Sequence, residues 1–226
     1  MKDQFEQTRM FLKNAVLKGQ LVFPNEHVIR FVKRHLNKKP YAEDYVPTVL
    51  DFGCGLGRDS VAVAGYGLHV IAMDYNAEAL EVVKQKIAGT SLNIDCVQNS
   101  GFEVPIAEAS VDIIFADGSL FYCAKADLIR LLKNLRNVLK PGGLFWSSWR
   151  TKTDTLFGEA NQIGDGLYVF PENNSRFGCT YFFADENDIR EMYEAAALRI
   201  KSLDLMEYTE NDRTIRNSWW HVIATR

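Results

Sequence analysis

The sequence predicts a doubly wound α/β fold, in which helices cover both faces of an open, mostly parallel sheet. Short apolar runs alternate with amphipathic stretches between residues 49 and 149, the rhythm of successive βαβ units. A glycine-rich loop, residues 53–57, follows the first apolar run, at the place where such folds bind ligands. The run at 111–116 is apolar at nearly every position, as expected for a strand at the centre of a parallel sheet.

Two amphipathic helices are predicted before the first strand, over residues 3–18 and 25–37, because apolar residues recur at helical spacing. Pro24 suits the start of the second helix. A polar linker with two prolines then leads into the sheet. We expect residues 1–47 to form an N-terminal helical cap.

Residues 48–149 are predicted to form the ligand-binding core. The helix over 125–139 is expected to stop at Lys140-Pro141-Gly142-Gly143. The predicted strands are 49–52, 68–73, 93–97, 111–116 and 144–149, and the other predicted helices are 59–65 and 77–87.

The βαβ rhythm breaks after residue 149. Residues 150–183 carry four glycines and Pro171 between short aromatic runs, which predicts an inserted hairpin or lid. Residues 184–226 are expected to complete the sheet with a helix over 186–197, capped by Asp185, and with strands over 199–208 and 218–224. These two strands give a seven-stranded sheet with an antiparallel last strand, and the 226 residues are predicted to form a single domain.

Composition excludes several classes of protein. A net charge of -3 and a pI near 5.9 disfavour nucleic acid or an anionic membrane as partner. No apolar run approaches the ~18 residues that span a bilayer, and the first residues lack the apolar core of a signal peptide. The four cysteines and four histidines show no ligand spacing, so we expect no metal site and a reducing cytoplasmic location.

The glycine loop reads Gly53-Cys54-Gly55-Leu56-Gly57. The third glycine of the dinucleotide-binding fingerprint would fall at Arg58 or Ser60, depending on the first glycine counted, so a nicotinamide dinucleotide is disfavoured. A phosphate-binding loop of the nucleoside-triphosphatase type is excluded, because no Gly-Lys-Ser/Thr follows.

Asp74 ends the second predicted strand, 17 residues after Gly57. A carboxylate at this position accepts hydrogen bonds from a ribose diol, and Tyr75 could lie against a flat base. The alternative is that Asp74 caps the helix that begins near Ala77. Both roles can coexist.

In order and spacing, these features resemble the class I S-adenosylmethionine-dependent methyltransferases, which have a Rossmann-like fold. The resemblance covers residues 48–149. It is carried by Val49-Leu50-Asp51-Phe52-Gly53-Cys54-Gly55-Leu56-Gly57, Val70-Ile71-Ala72-Met73-Asp74, Val111-Asp112-Ile113-Ile114-Phe115-Ala116-Asp117 and Leu139-Lys140-Pro141-Gly142-Gly143. The continuation Gly57-Arg58-Asp59-Ser60 is most similar to the branch that includes tellurite-resistance-type methyltransferases.

The resemblance implies S-adenosylmethionine as cofactor and S-adenosylhomocysteine as product. The family often has an acid after the third strand that meets the adenine amino group. Counting back from Pro105 puts Ser100 there, which is a departure from the pattern. The implied cofactor-binding residues are Asp51, Gly53, Cys54 and Gly55 around the amino-acid part, Asp74 at the ribose, Tyr75, Ser100, Gly101 and Phe102 around the adenine, and Asp117 and Gly118 near the methyl group.

The expected reaction is in-line displacement of the methyl group by a small-molecule acceptor, with the protein a monomer or a homodimer. A general base is needed only if the acceptor must lose a proton. Tyr122 is a candidate to face the acceptor, or else a packed aromatic. Trp219 or His221 could line the acceptor pocket, or fill the core from the final strand. The alternative functions are a nicotinamide-dependent oxidoreductase and a non-catalytic S-adenosylmethionine-binding protein.

Overall fold

The structure, a computed structural model, describes residues 7–8, 10, 23–38, 42, 44–164 and 166–226. Its helices are α1 (Glu26–Lys38), α2 (Arg58–Ala64), α3 (Ala77–Ile87), α4 (Lys125–Val138), α5 (Thr155–Gly158) and α6 (Glu186–Ala195). Its strands are β1 (Thr48–Phe52), β2 (His69–Asp74), β3 (Ile94–Gln98), β4 (Val111–Ala116), β5 (Leu139–Arg150), β6 (Asn161–Gln162), β7 (Leu167–Val169), β8 (Thr180–Phe182), β9 (Arg199–Glu210) and β10 (Ile215–Thr225).

The main sheet has seven strands in the order β3-β2-β1-β4-β5-β10-β9. The first five are parallel, whereas β10 runs antiparallel to both β5 and β9. This arrangement confirms the predicted doubly wound, mostly parallel fold with an antiparallel last strand. The chain order reverses between β1 and β4, and the crevice at the carboxyl ends of these two strands is the switch point at which such sheets bind ligands.

Apolar side chains are buried on both faces of the sheet, because successive strand residues point to opposite sides. Leu50 belongs to the cluster that packs under α4 and α6, whereas its neighbour Val49 belongs to the cluster that packs under α1 and α2. Burial of both residues is complete. The two clusters therefore hold the sheet rigidly between helices and fix the position of the loops at the switch point.

Strand β5 begins at Leu139, five residues earlier than predicted. Leu139 pairs with Val111, and the pairing resumes between Leu144 and Ile113, so residues 140–143 bulge out of the strand. Gly142 in this bulge has φ 74°, in the left-handed region. The predicted helix end and turn are thus corrected: α4 stops at Val138, and the Lys-Pro-Gly-Gly run lies within β5.

The insert forms a three-stranded antiparallel sheet, β6-β7-β8, and not a simple hairpin. Its buried Phe170, Phe182 and Phe183 belong to the larger core cluster. The Phe182 amide donates to the Phe121 carbonyl at 2.7 Å, and the Thr180 hydroxyl donates to the Tyr122 carbonyl at 2.9 Å. The insert is therefore packed directly on the segment that follows β4.

The other predicted elements match closely. The helix predicted over 25–37 is α1, whereas the helix predicted over 3–18 lies outside the described residues except for positions 7, 8 and 10. Asp185 caps α6 as predicted, through a reciprocal capping box with Asp188. None of the described helices is long and apolar enough to cross a membrane.

Candidate cofactor pocket

The loop after β1 is built around glycines in the left-handed region, since Gly53, Gly55 and Gly57 have φ 78°, 52° and 72°. Gly53 is also constrained by space. A Cβ atom at Gly53 would lie 2.3 Å from Cβ of Ser119, whose hydroxyl donates to the Phe52 carbonyl at 2.7 Å. The loop can therefore lie against the segment after β4 only because it carries no side chain there.

Asp74, at the end of β2, is buried and faces this loop. Its Oδ2 accepts a hydrogen bond from the Gly55 amide at 2.9 Å, and its Oδ1 accepts one from the Asn76 amide at 2.8 Å. Burial raises the pKa of the carboxyl, although these backbone hydrogen bonds act in the opposite direction.

The helix-cap alternative for Asp74 is wrong. The N-cap of α3 is Asn76, whose side-chain Oδ1 accepts from the amides of Glu78 and Ala79 at 3.0 and 3.4 Å. Asp74 is left to hold the glycine loop and to face the adjacent cavity.

A cavity of about 120 Å³ lies at the switch point. Among the predicted site residues, Gly53, Gly55, Asp74, Tyr75, Gly101 and Gly118 line it, together with Tyr122. The remaining lining residues are Phe52, Asn99 and Ser119. The cavity thus joins residues from the ends of β1, β2, β3 and β4, as the sequence predicts.

Asn99, and not Ser100, faces this cavity from the end of β3. Asn99 is buried, and its side-chain Oδ1 accepts a hydrogen bond from the Gly101 backbone amide at 3.2 Å. The Asn99 backbone amide donates to the Asp74 backbone carbonyl at 3.1 Å. Ser100 is exposed. The residue counted from Pro105, Ser100, therefore does not line the cavity, whereas Asn99, which directly follows β3, does.

Phe102 lies away from the cavity wall, against α4. The Arg130 guanidinium lies 4.9 Å from its ring centroid, and Asn134 Nδ2 donates to its carbonyl at 3.0 Å. Phe102 therefore does not line this cavity, although the sequence predicted that it contacts the adenine.

Asp51 and Cys54 lie behind the loop and do not line the cavity. Asp51 is buried and accepts a hydrogen bond from the Ser60 hydroxyl of α2 at 2.5 Å. Burial raises the pKa of Asp51 well above its usual value, and nearby Asp59, Asp117 and Asp74 add to this effect. Burial likewise raises the pKa of the Cys54 thiol, so this cysteine is not a ready thiolate nucleophile.

Asp117 is the centre of a polar network at the end of β4. Its Oδ2 accepts from Arg58 at 2.9 Å and from Asn25 at 2.8 Å, and its Oδ1 accepts from the Ser148 hydroxyl at 2.9 Å. Ser148 Oγ in turn accepts from the Gly118 amide at 2.8 Å. Asp117 therefore fixes Gly118 on the cavity wall, and it connects α1, α2 and β5 there.

Tyr122 and Trp219 belong to an aromatic cluster beside the cavity. The ring centroid of Tyr122 lies 4.7 Å from that of Phe121 and 5.3 Å from that of Tyr181. The centroids of Trp219 and Phe121 are 5.8 Å apart. Burial raises the pKa of the Tyr122 phenol well above its usual value. The structure thus unites two of the three aromatic candidates near the site.

His221 lies elsewhere, on the face of the sheet covered by α1. Its ring packs against His27 at 4.5 Å and Trp146 at 5.1 Å between centroids. Burial and, to a smaller extent, the neighbouring His27 lower the pKa of His221 to about 4. His221 lines a different cavity, so the pocket around Gly118 is built without it.

The cavity at the switch point fits an adenosyl group in its chemistry. A buried carboxylate after β2 matches a ribose diol, and glycines at the ends of β1 and β4 allow a ligand to lie against the main chain. Tyr75 and the Asn99 side chain supply a flat surface and polar atoms for a base.

Residues 49–143 match a family model described as a methyltransferase domain. A related protein, a methyltransferase-like protein of Schizosaccharomyces pombe, is 28% identical over 114 residues, which are 50% of this chain and 42% of that protein. The chain therefore spans less than half the length of this relative.

Two solved structures share the fold. An S-adenosylmethionine-dependent methyltransferase from Methanosarcina mazei has a TM-score of 0.67 at 16% identity, over 80% of this chain and 92% of its own. The 1,6-didemethyltoxoflavin-N1-methyltransferase of Burkholderia thailandensis, solved with S-adenosylhomocysteine, has a TM-score of 0.63 at 20% identity, over 89% of this chain and 77% of its own.

Proposed function

Because residues 49–143 are a methyltransferase domain of the class I S-adenosylmethionine-dependent family, we propose that this protein transfers a methyl group from S-adenosylmethionine to a small-molecule acceptor. The observation that carries the proposal is the convergence of the glycine loop, Asp74 and Gly118 on one cavity at the switch point. The closer similarity to the tellurite-resistance branch stays a prediction from the sequence.

Each part of the cofactor has a proposed partner. Asp74 accepts hydrogen bonds from the ribose hydroxyls, and Tyr75, Asn99 and Gly101 surround the adenine. The amino-acid part lies along Gly53 and Gly55 and extends toward Gly118. We propose a supporting role for Asp51, Cys54 and Asp117, since none of them lines the cavity. They stabilise the glycine loop and the end of β4, which do.

The bound cofactor supplies an electrophilic methyl group on a sulfonium with a good leaving group. The chain's own residues then have to orient the acceptor and exclude water, and orientation of this kind supplies about 7–11 kcal/mol. Tyr122 is a poor general base, because its raised pKa keeps the phenol protonated near neutral pH. We therefore assign Tyr122 a packing and orienting role.

The proposed acceptor is a small, partly apolar molecule. Tyr122 lines the cavity beside Gly118, and Phe121, Tyr181 and Trp219 pack in the aromatic cluster behind it; aromatic cavity walls of this kind bind apolar bodies. A monomer or homodimer in the cytoplasm remains the expected state, and the four free cysteines are in keeping with a reducing compartment.

Calorimetric titration with S-adenosylhomocysteine and, separately, with NADH tests the cofactor. We expect S-adenosylhomocysteine to bind and NADH not to bind. Binding of NADH alone would overturn the proposal in favour of an oxidoreductase. A second assay follows transfer of labelled methyl groups to a panel of small molecules. Binding without transfer to any panel member would support the non-catalytic alternative.

A further inference from the structure

A second cavity, of about 700 Å³, lies on the face of the sheet covered by α1. Helix α1 forms one side of it and strands β5, β9 and β10 form the other. It shares no lining residue with the cofactor pocket. Its volume lies within the range of roughly 300–1,000 Å³ that is usual for small-molecule sites.

The rim of this cavity is basic. Arg30 and Arg34 come from α1 and Lys201 from β9, and all three are exposed. Arg30 forms an ion pair with Glu26 at 3.1 Å, whereas Arg34 and Lys201 form none within the described part of the chain. The cavity lining contains one carboxylate, Asp204. This local excess of cations contrasts with the net charge of -3 of the whole chain.

The floor is apolar and aromatic. Trp146 is 3% exposed, and Leu144 and Ile223 are partly exposed beside it. His221 also lies in the floor, and its lowered pKa, about 4, leaves it neutral at pH 7. The positive charge therefore belongs to the rim, while the floor offers neutral surface.

We propose that this cavity is a second ligand site, separate from the cofactor pocket, which binds an organic anion. The anionic group lies between Arg30, Arg34 and Lys201, and the apolar body lies on Trp146, Leu144 and Ile223. A phosphate monoester and a carboxylate share this chemistry, because both accept charge-assisted hydrogen bonds from arginine and lysine.

Hydrogen bonds at the start of α1 connect the end of this cavity to Asp117 at the end of β4. The His27 amide, at the end of the cavity, donates to Asn25 Oδ1 at 2.9 Å, and Asn25 Nδ2 donates to Asp117 Oδ2. The proposal does not depend on methyl transfer, since it rests on the cavity and its charges alone.

The test is calorimetric titration of the full chain with 1-naphthyl phosphate, 1-naphthoate and neutral 1-naphthol. We expect at least one anion to bind at least about tenfold more tightly than 1-naphthol, through its charge-assisted bonds. The two anions distinguish a phosphate from a carboxylate head group. Equal affinity for 1-naphthol, or no binding of either anion, would overturn the proposal.

The double variant Arg34→Gln/Lys201→Gln locates the site. We expect it to weaken anion binding about tenfold or more, with unchanged S-adenosylhomocysteine affinity. Lys33→Gln is the matched control, because Lys33 is exposed on the same helix but lies 4.9 Å over the Tyr66 ring, outside the cavity. Equal loss in the control, or displacement of the anion by S-adenosylhomocysteine, would place the binding elsewhere and reject the site.

Discussion

The Gly55 amide donates a hydrogen bond to Asp74 Oδ2 at 2.9 Å, so the glycine loop after β1 and the acid after β2 hold each other in place. This bond orients a buried carboxylate toward the cavity and satisfies a loop amide that β1 cannot pair. Since Asn76 caps α3, Asp74 can be changed without uncapping that helix.

Asp74→Ala is expected to weaken S-adenosylhomocysteine binding by roughly 1.5–3 kcal/mol, because hydrogen bonds to a charged group are lost. Calorimetric titration measures this. Asp95→Asn is the control, since its carboxylate is exposed on β3 and pairs with His69 at 2.8 Å. Unchanged affinity in Asp74→Ala would show that the carboxylate only supports the loop.

Gly53→Ala is expected to destabilise the protein by about 2–4 kcal/mol, as the sum of left-handed strain and overlap with Ser119. Gly142→Ala separates the two causes, because Gly142 has φ 74° and open space around its Cβ position. We expect it to cost only about 1–2 kcal/mol. Urea denaturation checks both, and Gly53→Ala/Ser119→Gly should recover part of the loss. Equal effects in the two single variants would contradict the steric explanation.

The sheet could be predicted because β1, β2 and β4 are short, mostly apolar runs that end in a turn or an acid. The β5 bulge could not, since Lys140-Pro141-Gly142-Gly143 has the composition of a helix stop, and only pairing with Val111 places it in a strand. Local pattern could not separate Asn99 from Ser100 either, because their burial depends on contacts with Asp74 and Gly101. The basic cavity forms where α1 lies beside β9, about 170 residues further along the chain, so local sequence pattern could not predict its position.

Arg58 and Asp117 are expected to be energetically coupled, because their side chains are 22% and 18% exposed and form an ion pair at 2.9 Å. A double-mutant cycle with Arg58→Ala and Asp117→Ala should give a coupling of about 1–2 kcal/mol in unfolding free energy. The exposed pair Arg190 and Glu186 is the reference, for which about 0.3–0.5 kcal/mol is expected. A coupling at Asp117 no larger than the reference would show that the network does not fix the end of β4.

His221 should make stability sensitive to mild acid. Its folded pKa, about 4, lies below the ordinary histidine value of 6.5, so the unfolded chain binds the extra proton between these values. Stability from this group is complete above pH 6.5 and is lost as the pH falls toward 4. We expect His221→Gln to reduce the loss between pH 7 and 4.5 by roughly 1 kcal/mol, after allowance for solvent screening. An NMR titration in which His221 protonates near pH 6.5 would contradict this.

Two substitutions at Tyr122 separate a packing role of its ring from a catalytic role of its hydroxyl. Its ring packs edge-on against Tyr181 with 5.3 Å between centroids, and burial raises the pKa of its phenol, so the hydroxyl stays protonated near neutral pH. We expect Tyr122→Phe to retain S-adenosylhomocysteine affinity and, with any acceptor that turns over, to keep kcat within roughly tenfold, because loss of a general base would cost ~10²–10⁴-fold. Tyr122→Ala should instead lower stability by about 2–4 kcal/mol, since it opens a hole in the aromatic cluster and in the cavity wall. The comparison is internal, because both variants remove the hydroxyl and only one removes the ring. A hundredfold loss of turnover in Tyr122→Phe, with normal binding and stability, would make the phenol a catalytic group and reverse the packing assignment.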